Sequence, residues 1–269
     1  MSLKNKVALV TGASSGMGRA ICLALADNGA KIVSCDLRAE ANPSGYETDR
    51  EIATADLVIK NGGEAIFQKV DISDAGQCES AFGTAISKYG RLDIVVNCAG
   101  YWEPFRDFVD EDDVLWGKMA AVNTLGTARV SRLAIRQFLK QEVDATWGSR
   151  GRIVNISSCA AGIAFPGEVA YSATKASVNH MTRAGAMDHA KDSININCVS
   201  PGVVATGMAR QNIENKDIFS LMEKSTPWPR IGTAGDIAGV VLFLCLPPSQ
   251  WMTGQVLNVD GGMTLGVPP

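Results

Sequence analysis

Apolar positions along the chain switch between two periods. Short, near-continuous runs rich in Val and Ile predict strands at VALVT (7–11), KIVSCD (31–36), AIFQKV (65–70), DIVVN (93–97), RIVNIS (152–157), ININCVS (194–200) and QVLNV (255–259). The stretches between them carry apolar residues at helical spacing. A helix is expected over 17–28, ended by Gly29, and another over 50–60, stopped by Asn61-Gly62-Gly63. Asp74 can cap a helix that runs to Tyr89 and is closed by Gly90. Further helices are predicted over 112–139, 171–190 and 237–246. Two segments have no period. The polar stretch 37–49, with Pro43 and Gly45, reads as a loop insertion, and 141–150, with Trp147, as a surface loop without a catalytic role.

Strands apolar on both faces, alternating with helices, imply a doubly wound, mostly parallel α/β sheet of about seven strands with helices on both faces. No repeat, low-complexity tract or linker divides the chain, so 1–269 reads as one domain. Ligands of such sheets bind outside the carboxyl ends of the strands.

Composition narrows the picture. Hydrophobic residues make up 46% of the 269 and charged residues 20%, enough for a large core in a soluble protein. A net charge of -3 with scattered Lys and Arg argues against nucleic-acid binding. No apolar run approaches the ~18 residues of a membrane span, and the start MSLKNKVALVTG lacks a signal-peptide core, so a cytoplasmic location is expected. The seven cysteines (22, 35, 78, 98, 159, 198, 245) form no CxxC pair and mostly sit in apolar runs. They read as buried free thiols, and no metal site is expected.

The candidate chemistry falls just after the strands. Gly12-Ala-Ser14-Ser15-Gly16-Met17-Gly18 joins the first strand to the first helix. Glycines admit a close pyrophosphate, and a helix N-terminus offers free N–H groups and a positive dipole end. Asp36 ends the second strand, where a carboxylate can accept bonds from both hydroxyls of an adenosine ribose. Asp71-Ile72 ends the third, suited either to the adenine amino group or to capping the next helix. Asn97, Ala99 and Gly100 end the fourth, where small residues let the backbone lie against adenosine. Asn123 sits mid-helix, where Asn is disfavoured, and suggests a functional irregularity. Tyr171 and Lys175 are four apart, hence on one helix face. A cation beside a phenol favours the phenolate.

In order and spacing these motifs resemble the short-chain dehydrogenase/reductase family over nearly the whole chain: Thr11-Gly12-x-x-x-Gly16-x-Gly18, Asn97-x-Ala99-Gly100, Asn123, Ser158, Tyr171-x-x-x-Lys175, and Pro201-Gly202 with Thr206. The resemblance implies a Rossmann-type fold, a nicotinamide cofactor and oxidoreduction of a carbonyl/alcohol pair. It assigns Tyr171 as general acid/base, Ser158 as the group polarising the substrate oxygen, and Lys175 as partner of the nicotinamide ribose and of Tyr171. Asn123 would hold a water extending a proton relay through Lys175. Pro201, Gly202, Val204 and Thr206 would border the nicotinamide. Homotetramers are implied, with contacts through the last strand and C-terminal segment and through the helices near 112–139 and 171–190. Cys98 stands where the family more often has a second Asn, at a position that contributes mainly backbone.

Asp36 would repel a 2′-phosphate, so NAD(H) is expected over NADP(H), which only Arg38 could favour. Substrate contacts are expected from 101–108, 160–170 and a lid at about 205–228, through Trp102, Phe105, Phe108, Phe165, Met208, Ile213, Phe219, Leu221, Met222 and Trp228. That lining suits a hydrophobic small molecule. A redox-inactive nucleotide-binding sensor or scaffold, or non-redox chemistry with the same Tyr, is the alternative that fold alone leaves open.

Overall fold

A computed structural model describes residues 3–266. In chain order the elements are β1 (Val7–Thr11), α1 (Gly16–Asp27), β2 (Lys31–Asp36), α2 (Thr54–Lys60), β3 (Ala65–Lys69), α3 (Ala75–Tyr89), β4 (Ile94–Asn97), α4 (Asp113–Met119), α5 (Thr127–Phe138), β5 (Gly151–Ile156), α6 (Val169–His189), β6 (Ile194–Pro201), α7 (Arg210–Glu214), α8 (Lys216–Ser225), α9 (Ala234–Cys245) and β7 (Val256–Val259). The seven strands form one parallel sheet in the order β3-β2-β1-β4-β5-β6-β7. The order reverses between β1 and β4, so their carboxyl ends, Thr11 and Asn97, flank a crevice at the switch point.

Successive side chains of β1 feed opposite cores, as a pleated strand requires. Ala8 and Val10 join a cluster with Ile21 and Leu25 of α1 and Ile237, Val241 and Leu244 of α9. Val7 and Leu9 join one with Phe82 of α3 and Val130, Ala134 and Phe138 of α5. Phe138 is fully buried against Gly151, where any Cβ would overlap its ring.

The predicted caps form as expected. Asp74 accepts from the Gln77 N–H at 3.0 Å, and Gly90 closes α3 at φ 75°. Three expectations need correction. The helix expected from 50 begins at Thr54, because the buried Arg19 guanidinium draws in the Asp49 and Ile52 carbonyls at 3.0 and 2.8 Å and holds the preceding residues in a turn. The helix expected over 112–139 is interrupted: α4 and α5 are joined by a π turn, Ala120–Gly126. The 141–150 segment is not a loose surface loop. Trp147 is buried in the core, donates from Nε1 to the Cys245 carbonyl at 2.8 Å, and lies under the Lys6 ammonium and the Arg152 guanidinium, each 4.5 Å from its ring.

Candidate active site

The glycine turn at the end of β1 has the shape its sequence predicts. Gly12 and Gly16 lie at φ 65° and 55°, in the left-handed region. A Cβ on Gly12 would stand 2.8 Å from the Ala99 Cα, and one on Gly18 would overlap the Gly12 carbonyl. Thr11 Oγ1 accepts from the N–H groups of Cys98 and Ala99, both at 3.1 Å, which ties the ends of β1 and β4 together. The result is a cleft of about 660 Å³ lined by Gly12, Ser15, Gly16, Met17, Gly18, Asp36, Asp71, Ile72, Ala99, Gly100 and Thr206. Asp36 is held by the N–H groups of Ser14, at 2.9 Å, and Leu37, at 2.7 Å.

Four of the sequence-predicted residues stand behind this surface or behind that of the neighbouring cavity. Ser14 donates its hydroxyl to the Arg38 carbonyl at 2.6 Å. Asn97 Nδ2 bonds Ser131 and Asn155 at 2.9 and 2.8 Å, and its Oδ1 is buried without a partner. Asn123 lies in the π turn, accepts from the Tyr101 N–H at 2.7 Å and donates to the Tyr101 carbonyl at 2.9 Å and to Thr174 at 3.1 Å. Lys175, almost fully buried, donates from Nζ to the Ile156 carbonyl at 3.0 Å. Lys175 Nζ and Asn123 Oδ1 lie 3.5 and 3.6 Å from the point where a Gly100 Cβ would stand.

A second cavity of about 500 Å³ adjoins the cleft and shares Met17, Thr206 and Met208 with it. Ser158, Tyr171, Pro201, Gly202 and Val204 line it, together with Trp102, Phe105, Phe165, Leu221 and Met222. Phe108, Ile213, Phe219 and Trp228, expected in this lining, do not contribute to it. Ser158 accepts from the Ala160 N–H at 3.2 Å and presents its hydroxyl to Tyr171. The neighbouring Ser157 instead donates to the Lys175 carbonyl at 3.0 Å and positions α6.

The electrostatics differ from the expectation that Lys175 lowers the phenol. Burial pushes Tyr171 up, the Glu168 carboxylate adds to the rise, and the Ser158 hydroxyl offsets part of it. Burial also pushes Lys175 down, so the ammonium is itself held at a cost in this site.

The 37–49 segment carries residues that its composition did not single out. It crosses the mouth of the cleft, where Asn42 joins the lining. The Glu47 carboxylate accepts from the Gly16 N–H at the start of α1, while its other oxygen is buried without a partner. Arg210 of α7 donates to the Ser44 and Gly45 carbonyls and stacks on Tyr46 at 4.2 Å. An anionic side chain has thus settled on the N–H at the start of α1. With the left-handed glycines, a free N–H at the start of α1 that takes a carboxylate is the kind of donor a pyrophosphate would fit. Asp71 is not the helix cap. It accepts from the Ser73 N–H and hydroxyl at 2.8 and 2.7 Å, while Asp74 caps α3. Among the described residues no group of His, Cys, Asp and Glu could hold a metal ion, and no helix is long and apolar enough to cross a membrane.

A family model described as Enoyl-(Acyl carrier protein) reductase matches residues 12–264. The chain is 33% identical over 272 residues to a 3-oxoacyl-[acyl-carrier-protein] reductase of Synechocystis, covering 98% of this chain and 99% of the relative. Among solved structures, a short-chain type dehydrogenase/reductase from Mycobacterium ulcerans superposes with a TM-score of 0.88 at 29% identity, covering 100% and 93% of the two chains. A gluconate 5-dehydrogenase from Burkholderia cenocepacia, in complex with NADP and tartrate, gives 0.87 at 27% identity over 99% and 98%.

Proposed function

The chain belongs to the short-chain dehydrogenase/reductase family, and on that premise we propose that it is an oxidoreductase moving hydride between NAD(H) and the carbonyl/secondary alcohol pair of a hydrophobic small molecule. The observation that carries this reading is the junction of the two cavities. The glycine-turn cleft meets the apolar cavity at Met17, Thr206 and Met208, and Ser158 and Tyr171 line that cavity. The dinucleotide supplies the hydride. This chain supplies orientation and proton transfer.

In this reading Gly12 to Gly18 receive the pyrophosphate, Asp36 the adenosine ribose, Asp71 and Ile72 the adenine, and Ala99 and Gly100 the adenosine face. Asn97 shapes that edge from behind. Pro201, Gly202, Val204 and Thr206 border the nicotinamide. Ser158 donates to the substrate oxygen, and Tyr171 exchanges the proton with it. Lys175 holds the ribose. A water held by Asn123 would extend the proton relay through Lys175, whose Nζ faces Gly100 beside the Asn123 Oδ1. The helices α7 and α8 form the lid of a single domain, whose last three residues lie outside those described. A panel of ketones and alcohols with NAD(H), followed at the nicotinamide absorbance, tests the reading. Cofactor binding without any turnover would favour a sensor.

We further propose a homotetramer in the cytoplasm. Val114 of α4, Met187 of α6 and Trp251 before β7 are 76%, 83% and 98% exposed, on the elements that family contacts would cover. Light scattering that gives a particle near the 28.4 kDa of one chain would refute the tetramer.

A further inference from the structure

Glu168 is the one charged side chain among the described residues that line the apolar cavity. It is 9% exposed. It precedes α6 at the N-cap position but does not cap the helix. Glu111 does so from a distant loop, its carboxylate accepting from the Ala170 N–H at 3.0 and 3.3 Å. Trp102 Nε1 donates one long bond, 3.3 Å, to Glu168 Oε2. Burying a carboxyl with so little compensation is costly, and a hydrophobic residue of the same size would fill the space without that cost. Burial and the Glu111 charge push its pKa up to about 7, so it can offer either a neutral or a charged oxygen to a ligand. It stands three residues before Tyr171 on the same cavity wall, a rise of only ~4.5 Å along a helix.

We propose that Glu168 is a substrate-recognition residue: it binds a hydrogen-bond donor, a hydroxyl or an ammonium, carried close to the reacting carbon of a substrate that is otherwise apolar. This rests on the reading of Tyr171 as the reacting end of the cavity. The bond from Trp102 orients the carboxyl and leaves capacity for the ligand. The preferred substrates are then vicinal diols, hydroxyketones or amino alcohols on a hydrocarbon frame, rather than plain ketones and alcohols.

The test uses three probes on one frame: cyclohexanol, trans-cyclohexane-1,2-diol and trans-2-aminocyclohexanol, oxidised with NAD+ by the full-length protein and by Glu168→Gln and Glu168→Leu. The unmodified protein should prefer one or both donor-bearing probes over cyclohexanol by roughly tenfold or more in kcat/KM, expressed mainly in KM. Glu168→Leu should abolish that ratio. Glu168→Gln should keep a preference for the diol, since an amide oxygen still accepts a hydroxyl, and lose one for the amino alcohol, which identifies the donor. Calorimetric binding of the same probes to the cofactor-loaded protein reads the ratio without turnover. Donor-dependent binding that Glu168→Leu removes, with no oxidation of any probe, would sustain the role of Glu168 and sink the redox reading. A wild-type protein indifferent to the donor, or a ratio unchanged in the folded Leu variant, would overturn the proposal. If Glu168→Leu does not fold, wild-type indifference or a Gln variant that keeps a preference for the amino alcohol would do so.

Discussion

Lys175 Nζ lies 5.7 Å from the centroid of the Tyr171 ring, yet its hydrogen bond goes to the Ile156 carbonyl at the end of β5. The ammonium is anchored to the sheet beside the phenol, and burial, not this neighbour, sets the direction in which the phenol titrates. Tyr171 should therefore remain protonated well above neutral pH in the cofactor-free protein. An oxidised, cationic nicotinamide should move its titration downward. Ultraviolet difference titration with and without NAD+, using Tyr171→Phe as the blank, checks this, and an unchanged midpoint would remove the cofactor's charge from the account.

Tyr171→Phe keeps the ring and removes the acidic proton. General acid–base catalysis contributes ~10²–10⁴ in rate, so kcat should fall by at least that order while cofactor affinity is nearly kept. Lys175→Ala should lose both. Wild-type turnover by the Phe variant would show that another group carries the proton.

Cofactor choice should follow Asp36. Its carboxylate, fixed by the Ser14 and Leu37 N–H groups, accepts from a ribose hydroxyl and repels a 2′-phosphate. A preference for NAD(H) of about tenfold in kcat/KM needs only ~1.4 kcal/mol. Asp36→Ala should shrink or reverse it. Turnover with NADPH equal to or better than with NADH in the unmodified protein would transfer control to Arg38.

Glu47 occupies the N–H that a pyrophosphate needs, so the dinucleotide has to displace it. Glu47→Ala should tighten cofactor binding by roughly tenfold, the scale of one charge-assisted bond. Weaker binding in the variant, measured by calorimetry, would instead place Glu47 among the groups that hold the cofactor.

The buried Glu168 gives stability a definite pH slope. Its pKa rises from 4.5 to about 7 on folding, so between those values the folded state holds a proton that the unfolded state has lost. Stability should fall as pH rises through that window, by up to about 3 kcal/mol at ~1.36 kcal/mol per pH unit. Denaturant unfolding at pH 4.5 and at pH 8 should show this loss in the wild type and a smaller one in Glu168→Gln. Identical slopes would mean that the carboxyl is solvated.

Much of this was legible in the chain because period carries it. The seven apolar runs became the seven strands within a residue or so, and the glycine turn, Asp36 and the Ser158–Tyr171 pair reached one edge because motifs after parallel strands must. What stayed hidden depends on contacts between residues far apart in sequence. Nothing in 37–49 reveals that Arg210 will hold it across the cleft. Trp147 in a polar stretch looks like surface until its indole finds the Cys245 carbonyl. Glu168, ahead of the helix expected from 171, belongs to no motif, and only the structure shows it at the N-cap position while Glu111 accepts from the Ala170 N–H.

The π turn at Ala120–Gly126 divides the long helix into a part that builds the fold and a part that builds the site. A π turn is in effect an α-helix with one residue inserted. Removing a single residue there would restore ordinary helical register and leave α4 and α5 on their original faces, with Leu115, Val130 and Phe138 still in their cores. Asn123 would lose its hold on Tyr101 and Thr174, and Thr124 its bond to Ser177. A one-codon deletion there would read what the inserted residue contributes to stability against what it contributes to the place of Asn123.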